Sequence, residues 1–240
     1  MGVGGLLMFD GNAVRADVVE RIERSRNGVL LYPEWAAHEE AAVATSRAKR
    51  AFDVVVALAL LVIFMPLLVL IAVAIRLESP GAVIFKQRRT GLHGRVFTIF
   101  KLRTMRVAED GHVIRHTRER DHRVTRVGTL LRKLSFDELP QLVNVVRGEM
   151  SIVGPRPHAL AHDAYYGERL PAYARRFRAR PGLTGLAQVS GLRGEIRMLN
   201  DMAERAAADN AYIDTWAFRR DLGIVFKTAR VLFVGDAQAY

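Results

Sequence analysis

The chain has 240 residues and a formal charge of +11, from 36 Lys and Arg against 25 Asp and Glu, a length that allows one ordinary domain with accessory elements. A cationic excess of that size points to anionic partners: nucleic acid, acidic lipid or phosphorylated small molecules. The absence of cysteine excludes disulfides and thiolate chemistry and fits a reducing compartment.

Residues 1–46 read as a variable polar extension with one short helix, Ala13 to Arg24, and no visible chemistry. Met1 to Phe9 lacks the basic start and apolar length of a secretory signal. Leu6 stands where a myristoylation motif needs Ser or Thr. The expected targeting element is therefore the segment that follows, residues 47–80.

Within it, Val54 to Ile75 is uncharged and apolar, interrupted near its middle by Pro66. About 20 apolar residues match a hydrocarbon core of roughly 30 Å, and a soluble core helix of this length would carry polar residues on one face. Asp53 is expected at interfacial depth, where it stays solvated. A simple span gathers Lys and Arg on one side. Here Arg47, Lys49 and Arg50 precede the run, and Arg76, Lys86, Arg88 and Arg89 follow it. Pro66 also removes a backbone donor and crowds the preceding turn. A buried helix and a single span remain alternatives, but a helix that enters, bends at Pro66 and returns accounts for all of these features.

Glu78-Ser79-Pro80-Gly81 then stops the helix, and residues 81–240 are expected to form a cytosolic domain, the one that carries the candidate chemistry described below. Val83-Ile84-Phe85 and Val96 to Phe100 read as two strands of a hairpin around Gly91 and Gly94. Arg106 to Arg126 is charged and expected to be a solvated loop, with His112 and His116 as surface histidines rather than metal ligands. Helix is expected from Arg126 to Val146, and again from Tyr165 to Arg178, with Leu170, Tyr173 and Phe177 on one face. Leu186 to Val189 looks strand-like. A last helix places Leu222, Val225, Phe226, Ala229, Leu232 and Phe233 together, with Arg219, Arg220, Lys227 and Arg230 elsewhere on it. A helix of that kind can lie at a membrane surface, or simply pack on its own domain. The whole reads as a helix-rich α+β, membrane-associated monotopic protein, with one proline-broken re-entrant helix, a short β-hairpin and amphipathic interfacial helices.

The candidate chemistry centres on Asp137-Glu138. Ser135 and Glu138 have capping-box spacing, and Asp137 as N-cap would instead keep Pro140 in the first turn of the next helix. Either arrangement puts the carboxylates at a helix start, where phosphate oxygens and a divalent ion can bind. Arg156 is fixed between two prolines and Arg180 precedes Pro181-Gly182. Rigid guanidiniums suit bidentate phosphate recognition, and Lys101 and Arg103 can join them after the second strand.

The succession Lys49-Arg50-Ala51-Phe52-Asp53, the proline-interrupted run, Glu78 to Gly81, Phe85-Lys86-Gln87, Phe100 to Met105, Ser135 to Leu142, Gly148 to Pro157, Arg180 to Gly185 and Gln188 to Gly191 resembles the bacterial sugar transferases. These are monotopic phosphoglycosyl transferases, and the likeness covers residues 47–240. Gly185 to Glu195 looks most like the undecaprenyl-phosphate glucose phosphotransferase branch. The resemblance implies that a sugar 1-phosphate, from glucose or galactose, moves from a UDP-sugar to undecaprenyl phosphate with release of UMP. That reaction primes exopolysaccharide or O-antigen synthesis. It also implies Asp137 as nucleophile, Glu138 as a ligand of Mg2+, and Lys101, Arg103, Arg156 and Arg180 as phosphate contacts. The implied location is the bacterial inner membrane, with the catalytic domain on its cytoplasmic face. Met65-Pro66 departs from the Ser-Pro of many members, and Gly194-Glu195-Ile196 from Gly-Glu-Thr of the glucose branch.

Two rivals come from other classes. A membrane-anchored nucleic-acid binder would use the charge, but no recognition helix, zinc finger or RNA-binding motif is present. A catalytically silent scaffold of a polysaccharide assembly complex is opposed by the intact Asp137-Glu138 pair.

Overall fold

A computed structural model describes residues 7–9, 12–14, 16–25, 28, 32, 35, 40–106, 123–192, 194, 196 and 198–234. His112, His116 and most of the expected Arg106–Arg126 loop lie outside the described residues. A small hairpin, β1 (Leu7–Phe9) and β2 (Asn12–Val14), precedes α1 (Ala16–Arg24). Val18 and Ile22 of α1, with Tyr32 and Trp35, join the core formed by residues 160–177, where Trp35 stacks on Phe177 at 4.6 Å.

After the short α2 (Ala42–Thr45), Ser46 caps α3 (Arg47–Glu78) by accepting a bond from the Lys49 amide at 3.2 Å. At 32 residues, α3 is about 48 Å long, and its helical assignment continues through Pro66. By length and composition it can cross a membrane, with a mean hydropathy of 3.3 over an 18-residue window. One face packs along the domain. Ala57, Leu60 and Leu61 meet the core around Leu142 and Val145, while Leu67, Leu68, Ile71 and Ile75 meet Leu102 and Leu131. The opposite face exposes Val55, Val62, Ile63, Val69, Leu70, Val73 and Leu77, each more than half accessible. So long an exposed apolar surface is unfavourable in water and suits contact with lipid.

Both ends of α3 are tied to the same body. At its start, Asp53 accepts from the Ser151 hydroxyl at 2.8 Å and the Ile152 amide at 3.0 Å. Asp53 is therefore buried, not solvated as its place beside the apolar run implied; polar groups of a distant strand replace water. At its end, the Glu78 carboxylate accepts from the amides of Arg126 (2.7 Å) and Val127 (3.0 Å), the first residues of α4 (Arg126–Lys133).

The hairpin is longer than its apolar residues indicate. β3 (Ile84–Thr90) pairs antiparallel with β4 (Val96–Leu102), from Ile84↔Leu102 to Thr90↔Val96. The run Lys86 to Arg89 hid the rest of β3, because backbone pairing does not require apolar side chains. The helix expected from Arg126 to Val146 is two helices, α4 and α5 (Gln141–Arg147), separated by a 3₁₀ turn at Phe136–Glu138. Ser135, at φ 56°, makes the break.

β5 (Ser151–Val153) pairs in parallel with β6 (Gly182–Thr184). A Cβ on Gly182 would fall 2.1 Å from the Gly154 amide, so this approach requires glycine. The strand expected at Leu186–Val189 is instead a four-residue helix, α7, with the Val189 amide bonded to Gly185 O. Short apolar runs do not separate the two states by periodicity. The helix expected from Tyr165 to Arg178 is divided between α6 (Leu160–Arg169) and a 3₁₀ stretch, Tyr173–Arg178. Pro171 prevents continuation. α8 (Leu199–Asp214) and α9 (Phe218–Val234) complete the chain. The apolar residues of α9 are divided: Ile224 is buried and Val225 packs beside it, whereas Leu222 and Phe226 face outward. The molecule is a helix-rich α+β protein with one long apolar helix and small two-stranded sheets.

Candidate active site

The turn that separates α4 from α5 presents Asp137 and Glu138. Neither sequence-based capping scheme forms: Ser135 is left-handed with no side-chain cap bond, and Pro140 occupies the N-cap of α5. The turn is held instead by apolar neighbours on α3. Phe136 lies with its ring 6.3 Å from that of Phe64 and packs on the same buried cluster as Leu67 and Leu68, and Leu139 on the same cluster as Leu60 and Leu61. The turn that carries the carboxylates is thereby seated against the middle of α3.

Glu138 is clamped. Its Oε1 accepts from Lys101 Nζ at 2.7 Å and Arg156 Nη2 at 2.7 Å, and Oε2 accepts from Arg156 Nη1 at 3.2 Å. Burial alone would raise its pKa, but Arg156 and Lys101 hold the carboxyl well below the usual carboxylate range. Asp137 differs. No side chain or amide hydrogen bonds to its carboxylate among the described residues. Burial pushes its pKa up from 3.8, and the charge of Glu138 adds to this against Lys101, Arg132 and Arg156. One carboxylate is thus fixed as an anion, and its neighbour is half-buried, unpartnered and more basic than an ordinary aspartate.

Distant elements aim the two cations. Asn144 on α5 accepts from the Phe100 amide at 3.1 Å and donates to Thr98 O at 2.7 Å, locking β4 and hence Lys101 beside the turn. Arg176 donates to the Arg156 carbonyl at 2.7 Å and is itself held by Asp209 at 2.6 Å. Asn144, Arg176 and Asp209 were not singled out from sequence. Their spacing carries no local signal, because each acts on a partner far along the chain.

The expected arginines do not all converge. Arg103 turns to the end of α3, donating to Ser79 O and Pro80 O at 2.7 Å each. Its guanidinium thus bonds carbonyls that follow α3 and does not join Lys101 and Arg156 at Glu138. Arg180 donates to Gly148 O at 3.0 Å and Ala44 O at 2.8 Å, so its side chain lies at the carboxyl end of α5 while the carboxylates precede the amino end.

Divalent-ion binding is compatible with this donor set. A carboxylate offers about four lone-pair directions, and the three bonds on Glu138 leave one at Oε2. The Asp137 oxygens are unpartnered. Mg2+ is commonly held by one or two carboxylates together with substrate phosphates, which is what this pair can supply.

An unpartnered carboxylate beside a clamped one, facing cations and seated against a long apolar helix, is the candidate active site. The family model of the bacterial sugar transferases matches residues 44–235, and the chain belongs to that family of enzymes. It is 56% identical over 194 residues to a UDP-glucose:undecaprenyl-phosphate glucose-1-phosphate transferase of Caulobacter vibrioides, covering 81% of this chain and 73% of that protein. Identity to the Escherichia coli protein of the same name is 46% over 189 residues, 79% of this chain and 41% of the relative. A UDP-N-acetylgalactosamine-undecaprenyl-phosphate N-acetylgalactosaminephosphotransferase of Aeromonas hydrophila is 40% identical over 187 residues, 78% of this chain and 44% of the relative. The chain thus spans less than half of the latter two relatives.

Proposed function

We propose that this protein transfers a sugar 1-phosphate from a UDP-sugar to undecaprenyl phosphate, the priming step of exopolysaccharide or O-antigen synthesis. Asp137 Oδ attacks the sugar-bearing phosphorus, the bond to the bridging oxygen breaks, and UMP leaves with that oxygen. A phosphate oxygen of undecaprenyl phosphate then attacks the same phosphorus and displaces Asp137. Covalent catalysis divides the exchange into two displacements, so UMP can depart before the lipid acceptor engages. The observation that carries this reading is the unpartnered Asp137 carboxylate beside a Glu138 held by Lys101 and Arg156.

Lys101 and Arg156 bind and orient the diphosphate, and their charge offsets that of the transferring group. Mg2+, held by Asp137 and Glu138 with substrate phosphate, would supply further charge neutralisation. Glucose is the first sugar to test, since the Caulobacter and E. coli relatives carry it in their names; galactose is the second. The two ends of α3 tied to one body support a helix that dips into one leaflet and bends at Pro66, with the catalytic domain on the cytoplasmic face of the inner membrane.

Two experiments test the proposal. Purified protein incubated with labelled UDP-glucose, Mg2+ and undecaprenyl phosphate is expected to release UMP and place label in lipid. No transfer with glucose, galactose or their N-acetyl counterparts would sink the reaction. For topology, the cysteine-free chain permits single Ala48→Cys and Ala82→Cys variants. Both should react with an impermeant thiol reagent from the cytoplasmic side of inverted vesicles, and labelling of one alone would establish a spanning helix.

A further inference from the structure

A groove of about 520 Å³ opens where α3 begins, at the opposite end of α5 from the catalytic turn, and is lined in part by Arg47, Arg50, Val54, Val55 and Arg180. Arg50 donates from its two Nη atoms to the carbonyls of Val145 (2.6 Å) and Val146 (2.9 Å). With the bonds of Arg180 to Gly148 and Ala44, these fix two guanidiniums side by side against the carboxyl end of α5. Exposed Arg47 adds a third cation.

None of the three forms an ion pair with a carboxylate among the described residues. Of the acids near Arg180, Asp53 is engaged by Ser151 and Ile152, and Glu40 faces His93 at 3.2 Å. Burial first, and then the neighbouring Arg50, push the Arg180 guanidinium below its ordinary pKa, against Asp53 and Glu40. Each arginine retains donors beyond those engaged.

The other wall is apolar. Val54 and Val55 open the membrane run, and Val55 is 66% exposed. A soluble phosphate would neutralise the arginines and leave that wall in water. An anion that carries its own hydrocarbon satisfies both surfaces at once.

We propose that this groove holds the headgroup phosphate of an anionic phospholipid, with an acyl chain along Val54 and Val55. Arg50 and Arg180 grip the carboxyl end of α5, and the catalytic turn leads into its amino end. Lipid occupancy therefore braces the helix that follows Asp137-Glu138. The inference rests on the membrane reading of α3 and not on the transfer chemistry.

The test uses the full chain in mild detergent, with lipid retention followed by native mass spectrometry. Phosphatidylglycerol is expected to be retained at least about fivefold better than phosphatidylcholine at equal concentration. Arg47→Glu should abolish that preference while leaving transfer in detergent and the lipid-free Tm unchanged. Val55→Gln should weaken retention of both lipids. Equal retention of the two lipids, or a preference that survives Arg47→Glu, overturns the proposal. Displacement of phosphatidylglycerol by millimolar inorganic phosphate would mark a free-phosphate site and overturn it too. Displacement by equimolar undecaprenyl phosphate with the same Arg47 dependence would mark an acceptor site, with the same consequence. The transfer assay is read separately, so a failed lipid site and a failed transferase are distinguishable.

Discussion

At the start of α3, Lys49 lies 2.7 Å from Asp221 and 3.8 Å from Asp53, and all four oxygens of the two acids accept bonds from Lys49, Tyr212, Trp216, Ser151 or Ile152. At the catalytic turn, Lys101 lies 2.7 Å from Glu138, whose two oxygens are likewise engaged, yet Asp137 next to it accepts nothing among the described residues. The residue types are nearly the same. Complete pairing turns the first cluster into a rivet joining α3, β5 and α9. In the second, pairing one acid and leaving its neighbour without a bond among the described residues produces a fixed anion beside a carboxylate of raised pKa. The proposed nucleophile is the acid from which bonds are withheld, and the rigid cluster is the one in which they are all made.

The contrast breaks most visibly at Asp137. Asp137→Asn should lower transfer by on the order of a thousandfold or more and prevent trapping of a phosphosugar adduct on the protein. Stability should not fall, since no bond is lost. The folded-state pKa of Asp137 is raised, so its ionisation disfavours the fold as pH rises through the interval above 3.8, and the neutral Asn variant should melt at an equal or higher temperature near pH 7.

Lys49→Met inverts that pattern. It leaves Asp53 and Asp221 buried without their cation and should cost about 3–5 kcal/mol in detergent-solubilised unfolding. Activity per folded molecule should change far less than in Asp137→Asn.

Arg156→Lys keeps the charge but loses the fork on Glu138. Transfer should fall about ten- to a hundredfold, with the unfolding midpoint nearly unmoved because Arg156 is partly exposed. An effect on stability as large as that of Lys49→Met would erase the distinction between the clusters.

The smallest effect is the pH profile. Because Asp137 must be ionised to attack, activity should rise with pH along an acid limb centred above 3.8. Glu138 is not its source. Its folded pKa is depressed, so its ion pairs contribute stability above 4.5, its ordinary value, and lose it only as pH falls through the depressed one. A limb that survives Asp137→Asn in residual activity would show that another group controls it.

Much of this arrangement was legible in the chain. Val54 to Ile75 declared itself by hydropathy, and the hairpin by alternation about two glycines, because both signals are local. Adjacent Asp137 and Glu138 could be picked out, but not told apart: their spacing is symmetrical, and the asymmetry arises from Lys101 on β4 and Arg156 beyond β5. For Arg103 and Arg180 the chain did not show where the side chains point. Both had the right residue type in the right motif, and both are turned to helix ends. Asp53 read as an interfacial charge because its partners at Ser151 and Ile152 lie about a hundred positions away.

By itself, then, the sequence determined that an apolar helix leads a cationic domain, that paired carboxylates occupy one turn of it, and that rigid arginines follow. Only the tertiary structure decided which cation meets which carboxylate, which acid stays free, and that both ends of α3 rest on one body. The physical reason is range. Hydropathy, helix stops and motif order are written within a few residues, whereas an ion pair or a carboxylate left unpaired depends on side chains that meet only when distant segments fold together.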